Sequence, residues 1–534
     1  MVPRSYTPSV AAELAAGVVF VAAAFFALRA MAPIGVAATP DSINYLEAAA
    51  NVRSGHGLVL NAYHLDGRPA FTPFTLWPPL YPLVLALVPA SGGSGVTAAA
   101  SLNAVLLAFS AWLLFALLRP HTGARVALPM ALVFMLAPST LTVFAHAWSE
   151  ALFTPLLLLT AAAFFRCLPA PGYESRRHAV RLLVFTALLA ALAWCRYVGL
   201  TFALLLPFAW LAVRRRRGAP VTIALSAALY AASVGALLLR NWRLSGTAAG
   251  LVLPRSAKGL GDNVTDLLRA FSLLAPTQFV AWLAVAVLAA FACCLLCLHS
   301  RSGAQARALA EDPAARRLAR VCLLFAAYYL GAYVILRTFQ GFDPLEIRYV
   351  GPTIPLLVAA VALLTVRTWA RWSCSWRTVA PLALCLALPA MPAVQGIVAW
   401  RAVRAELADH GQPRFLSSPN LYFMNYSWPD DRNQALAAFR LIGAGTNATV
   451  VVESPQIVRF LTGLDARQFP AGPVTRTVLR TMNAIPGEAF VVLTMPDSIL
   501  RFSEATGRPA ATFALPAQKT PPGWFAARLP LPGS

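Results

Sequence analysis

The sequence predicts a polytopic α-helical membrane protein of about 11 transmembrane helices, followed by a small extracytoplasmic α/β domain at the C-terminus. Three observations carry this. Hydrophobic residues make up 59% of the 534 and charged residues only 12%, with a mean hydropathy of +0.65. Apolar runs long enough to cross a bilayer recur along the chain. The arginines behind the net charge of +22 gather in short loops between those runs, which marks membrane topology and excludes a nucleic-acid partner.

The spans fall near 12–31, 95–118, 126–144, 149–166, 181–195, 198–213, 219–240, 277–298, 320–337, 350–367 and 378–399. The stretch 181–213 reads equally as one long helix or two short ones. With this count, Arg119 and Arg125, Arg166 to Arg181, Arg214 to Arg217, Arg301 to Arg320, and Arg367 to Arg377 all lie on one side. Basic loops stay in the cytoplasm, so the N-terminus is placed there, and the Arg-heavy, Lys-poor usage points to a bacterial source and hence its inner membrane. The first span lacks a clear Ala-x-Ala cleavage site and reads as an uncleaved helix. The opposite side receives the long loop 32–94, the turn at 145–150, the loop 241–276, the segment 338–349 and the C-terminal region. The chain thus divides into a membrane domain, 1–400, and a soluble domain, 401–534.

All eight cysteines lie in or beside apolar spans, so no disulfide framework is expected. Cys293, Cys294 and Cys297 read as small packing residues. In the C-terminal domain, Thr449–Glu453 and Phe490–Thr494 have strand character, while 434–442 and 455–461 have helical periodicity. This alternation suggests an α/β domain. The sequons at Asn263, Asn425 and Asn447 match a pattern too short to carry weight. Phe71 to Pro82, rich in aromatics and proline, suits short helices at the membrane surface.

Asp41, just after the first span, is the most informative residue. A carboxylate kept beside lipid is a functional candidate by default. The alternative is an N-cap for a short helix beginning near Ser42.

Asp41-Ser-x-x-Tyr45, Trp77-Pro-Pro-Leu-Tyr-Pro82, Ser149-Glu150-Ala-Leu-Phe153, Arg196-Tyr-Val-Gly199, Arg240-Asn-Trp-Arg243 with Gly246, and Asp343-x-x-x-x-Arg348-Tyr349 occur in this order, all on the outer side. Together they resemble the GT-C class of membrane glycosyltransferases, which use polyprenyl-phosphate sugars. The nearest likeness is to the bacterial branch related to protein O-mannosyltransferases and the lipid A aminoarabinose transferase. The resemblance implies a sugar moved from a polyprenyl-phosphate donor to a glycan, lipid or protein acceptor outside the cytoplasm. It implies Asp41 as the base that takes the acceptor's proton and Arg348, with Tyr349, as the clamp on the leaving phosphate. Arg348 read alone is also consistent with snorkelling at a helix end.

Glu150 stands where the family often carries an acidic residue, which makes it a catalytic candidate. In some members that residue helps bind a divalent metal with the first-loop Asp, so Asp41, Glu150 and His146 form the candidate metal set. Read alone, Glu150 equally suits a helix start. Tyr45, Glu47, His56, Arg196, Arg240 and Arg243 complete the substrate-binding candidates, with His64 a further first-loop residue. The competing readings are a lipid-linked sugar flippase and a polysaccharide polymerase or ligase. Transporters place ionisable residues at mid-membrane within repeat halves, whereas these charges lie at the outer ends.

Overall fold

The computed structural model describes residues 10–31, 36, 39–89, 95–168, 178–215, 218–250, 256, 258–272, 312–340, 347–370, 436–520 and 524–531. The spans expected at 277–298 and 378–399, the cysteines at 293, 294, 297, 374 and 385, and Asp343 lie outside the described residues. The chain divides into two compact units.

The first unit is a bundle of membrane helices. It begins with α1 (Val10–Met31) and continues through α4 (Gly95–Thr122), α5 (Ala124–Leu136), α6 (Pro138–Ala145), α7 (Glu150–Cys167), α8 (His178–Cys195), α9 (Leu206–Val213), α10 (Ala219–Ser245) and α11 (Leu260–Ser272). The helices Pro313–Phe339 and Ile354–Ala370 follow. Among the described residues, five helices are long and apolar enough to cross a membrane. The span expected at 126–144 is broken. Its halves bend by 59°, because Pro138 removes a backbone donor and forces Ala137 into extended backbone. The stretch 181–213 is two elements: α8 ends at Cys195, and a 3₁₀ turn, Tyr197–Leu205, leads into α9.

Packing inside this unit is aromatic and tight. Phe164 meets Phe185 and Phe325 at 5.3 and 5.6 Å, and Phe202 meets Phe325 and Tyr328 at 5.7 and 5.0 Å. Buried hydroxyls satisfy one another, as in Thr186 and Ser226 at 2.7 Å. At one end, Arg119 donates to Glu13 at 3.0 Å and His121 meets Asp312 at 2.8 Å. The bond from His121 holds the Asp312 carboxyl below its ordinary range. These ties join the start of α1, the end of α4 and the start of Pro313–Phe339.

The second unit unites the loop after α1 with the C-terminal region. The loop holds α2 (Pro40–Arg53), an antiparallel hairpin of β1 (Val59–Tyr63) and β2 (Pro69–Pro73), and nearby α3 (Leu80–Ala86), whose first residues belong to the bundle. The surface helices expected over 71–82 are therefore a strand end and then a helix. The C-terminal sheet has the order β4 (Asp465–Gln468), β3 (Thr449–Val452), β5 (Ala489–Leu493), β6 (Phe525–Leu529). β3 lies parallel to β4 and β5, and β6 runs antiparallel to β5. Val450, Val452, Phe490 and Val492 feed one core, while Val451, Val491 and Leu493 feed the other. Burial on both faces is why β3 and β5 read as unbroken apolar runs. Ile43 of α2 inserts into the first of these cores, and Arg467 donates to the Leu65 carbonyl at 2.8 Å.

Candidate functional site

α6 ends at Ala145, and the chain runs extended through His146 before α7 starts at Glu150. Asn103 fixes this link by donating to the carbonyls of Phe144 (2.9 Å) and His146 (2.6 Å), and Tyr81 donates to Asn103 at 3.2 Å. Ser149 and Glu150 are thereby buried at the head of α7. The break after α8 leaves Arg196 in extended backbone. Gly199 lets the following turn press onto α8, since a Cβ there would lie 2.3 Å from the Leu192 carbonyl. Gly351 similarly lets the turn after Arg348 pack on α6, where a Cβ would meet Val143 at 2.5 Å.

These breaks bring four chain segments together. Arg196 is ion-paired with Glu150, donates to Ser149 Oγ at 2.9 Å, and donates through Nε to Tyr333 Oη at 2.9 Å. Its guanidinium lies 5.9 Å from the ring centres of both Tyr333 and Tyr349. Arg348 approaches Tyr349 from elsewhere, 4.7 Å from its ring centre, with Nη2 donating to the hydroxyl at 2.5 Å. It also lies 5.5 Å from the ring of Trp148, which stacks on His146 at 4.0 Å. Among the described residues of this cluster, two guanidiniums against one carboxylate leave a net positive charge. The second oxygen of Glu150, Oε1, is buried with no hydrogen-bond partner among the described residues. The cluster lies at the end of the bundle where Pro313–Phe339 terminates, opposite the ties of Glu13, Arg119, His121 and Asp312.

Of the expected residues, Glu150, His146, Arg196, Arg348 and Tyr349 are assembled here. Trp148, Ser149 and Tyr333 join them. Ser149 stood in an expected motif, but its role as an Arg196 acceptor left no sequence signal, and Tyr333 sits in an ordinary apolar run. Arg240 donates to Asn241 Oδ1 at 2.9 Å, and Arg243 is exposed. Asn241 links their motif to that of Arg196 by donating to Tyr197 Oη at 2.7 Å.

Asp41, Tyr45, Glu47 and His56 belong to the second unit. Asp41 is not the N-cap of α2. Thr39 is the cap, accepting from the Ser42 N–H at 3.5 Å, and Asp41 lies half-buried in the first turn. Tyr45 is buried beside Phe74 at 6.0 Å. Glu47 accepts from Asn61 N (3.3 Å), Asn61 Nδ2 (2.7 Å) and the Tyr63 hydroxyl, pinning the hairpin to α2. Burial raises its carboxyl above the ordinary value, partly offset by those bonds. His56 is exposed, with its ring 4.8 Å from Phe71. His64 is exposed.

Among the described residues, no three His, Cys, Asp or Glu side chains group as a metal site. His146 Nδ1 lies 2.7 Å from the Thr142 carbonyl, which assigns it the proton and leaves Nε2 as the lone-pair nitrogen. Glu150 is already paired to a guanidinium, and the described residues do not by themselves make a metal centre.

No protein-family model matches the chain, and no curated protein matches it significantly. Solved structures do. ArnT from Cupriavidus metallidurans bound to undecaprenyl phosphate superposes with a TM-score of 0.55 at 12% identity, covering 97% of this chain and 98% of that one. The same protein in the apo state gives 0.53 at 14% identity with the same coverage. The oligosaccharyltransferase of Archaeoglobus fulgidus in complex with zinc and sulfate reaches only 0.44 at 11% identity, covering 92% and 70%, too distant to bear on the fold. The chain is a polytopic helical membrane protein similar in fold to ArnT along nearly its whole length, the fold that the GT-C resemblance implied.

Proposed function

We propose that the protein is a membrane glycosyltransferase that moves a sugar from a polyprenyl-phosphate donor to a glycan, lipid or protein acceptor on the outer face of a bacterial inner membrane. The observation that carries this is the pairing of an unsatisfied buried acceptor, Glu150 Oε1, with the cations Arg196 and Arg348 around Tyr349. A sugar phosphate brings hydroxyl donors for the first and an anion for the second. ArnT, with the same fold, binds undecaprenyl phosphate, which supports a lipid-borne phosphate here.

In this reading the bond between the anomeric carbon and the phosphate oxygen breaks with its electron pair leaving on phosphate. The carbon becomes oxocarbenium-like. The Arg348 fork holds the developing phosphate charge, and the Trp148 and Tyr349 rings keep that fork in plane. Glu150 holds Arg196 in place beside Tyr333. The acceptor oxygen forms the new bond and gives its proton to a base, the role that the GT-C resemblance carries to Asp41.

The test is reconstitution of the purified protein in liposomes with polyprenyl-phosphate sugars labelled in the sugar and, separately, in the lipid. Transfer predicts label on an acceptor together with free polyprenyl phosphate. Reorientation of intact donor across the bilayer without release of polyprenyl phosphate would support the flippase reading and sink this one.

A further inference from the structure

The helix α11, within the expected outer loop 241–276, has an inverted burial pattern. Its protein-facing side is polar: Asn263 is fully buried and Asp266 nearly so, beside Ala270. Asn263 donates to Thr338 Oγ1 at 3.1 Å, and Lys258 pairs with Asp266 at 2.7 Å. Burial also closes the Asn263 sequon to modification. The large apolar side chains instead point outward, with Leu260 55%, Val264 42% and Leu268 63% exposed.

The exposed residues are themselves sorted. At about 100° per residue, Leu260, Val264 and Leu268 share one stripe. Asp262 and Thr265, also exposed, fall on another. The helix therefore has three faces: one on protein, one apolar and one polar. A helix surrounded by water beyond its protein contacts has no reason to separate the last two. A helix lying in the plane of a membrane interface does, because lipid meets one side and water the other. Its depth agrees. Thr338, the partner of Asn263, stands in the last turn of the membrane-spanning helix Pro313–Phe339, where that span leaves the bilayer. α11 also packs against the short helix Ile347–Val350 that carries Arg348.

We infer that α11 is an interfacial helix whose Leu260–Val264–Leu268 stripe is seated in the lipid of the membrane that the bundle spans. It thereby fixes the end of Pro313–Phe339, and the Arg348 turn beside it, at the headgroup layer. This inference rests on the membrane fold and not on the transfer chemistry, so the two fail separately.

The direct test uses the wild-type protein in nanodiscs containing a phospholipid with a photoactivatable acyl chain. Mass spectrometry should find adducts on Leu260, Val264 or Leu268 and none on Asp262 or Thr265. A second measurement places spin labels, one at a time, at Val264→Cys, Leu268→Cys and Thr265→Cys in a cysteine-free, monodisperse background. Labels at 264 and 268 should collide with oxygen more than with a hydrophilic nickel chelate, and the label at 265 should show the reverse. Nickel preference at all three positions would place the stripe in water and overturn the inference. Protection of 264 and 268 from both reagents would mean that protein covers the stripe, either a second copy or another segment, and would overturn it equally.

Discussion

Arg196 and Glu150 form a buried ion pair between the break after α8 and the head of α7, the carboxylate side chain being 3% exposed and the guanidinium 16%. The pair gives Glu150 a hold on Arg196, beside the catalytic and metal roles that its position suggested. Removing one partner of such a pair leaves an uncompensated buried charge, which costs about 3–5 kcal/mol. Glu150→Ala and Arg196→Ala should each lower the unfolding temperature sharply, and a double-mutant cycle should show strong coupling. Additive losses would mean that the two side chains act independently.

Arg348→Lys keeps the charge but loses the planar fork and its stacking between Trp148 and Tyr349. Donor KM should rise while insertion and thermal stability stay at the wild-type level. Trp148→Leu should move KM in the same direction through a lost cation–π contact of about 1 kcal/mol, and Trp148→Phe should restore most of it. Wild-type kinetics for Arg348→Lys at low donor concentration would reduce Arg348 to an interface anchor.

Because Thr39 caps α2, substitutions at 41 leave the cap intact. Asp41→Asn should cut transfer by at least roughly a hundredfold, the scale of general-base catalysis, with donor binding and expression retained. Thr39→Ala should do the converse, costing about 1 kcal/mol of stability with turnover nearly unchanged. Full activity of the Asn variant would remove Asp41 from the mechanism.

Glu47 links the stability of the second unit to pH. Burial raises its carboxyl above the ordinary 4.5, so across the interval from that value up to its folded value the native state binds more protons than the unfolded chain. Its contribution to stability is therefore fully present at and below about 4.5 and declines as pH rises through the folded value. Glu47→Gln should flatten this limb in melting curves recorded against pH. An unchanged limb would assign the dependence to other groups.

The C-terminal region is expected outside the cytoplasm, on the side opposite the basic loops. A cysteine replacing the exposed Glu504 in a cysteine-free background should react with an impermeant thiol reagent in intact spheroplasts. Reaction only after lysis would reverse the topology.

Composition and hydrophobic runs by themselves determined that the chain is a helical membrane protein, because bilayer thickness leaves few solutions for long apolar segments. They also placed Thr449–Val452 and Ala489–Leu493, since strands buried on both faces are apolar at every position. The edge strand Asp465–Gln468 left no such trace, having two exposed residues of four. Nor did the hairpin at 59–73, whose first strand is only partly buried and whose hold on α2 runs through two polar side chains, Glu47 and Asn51. Glu150, Arg196 and Arg348 were legible as charges that an apolar chain keeps only for a reason. Their partners were not. Tertiary structure alone decided that Arg196 turns to Glu150 and Tyr333, that Thr39 and not Asp41 caps α2, and that Trp148 stacks between His146 and Arg348. Periodicity reports which face of one element is buried, whereas these contacts arise where separate helices break and their ends converge, a geometry that no single segment encodes.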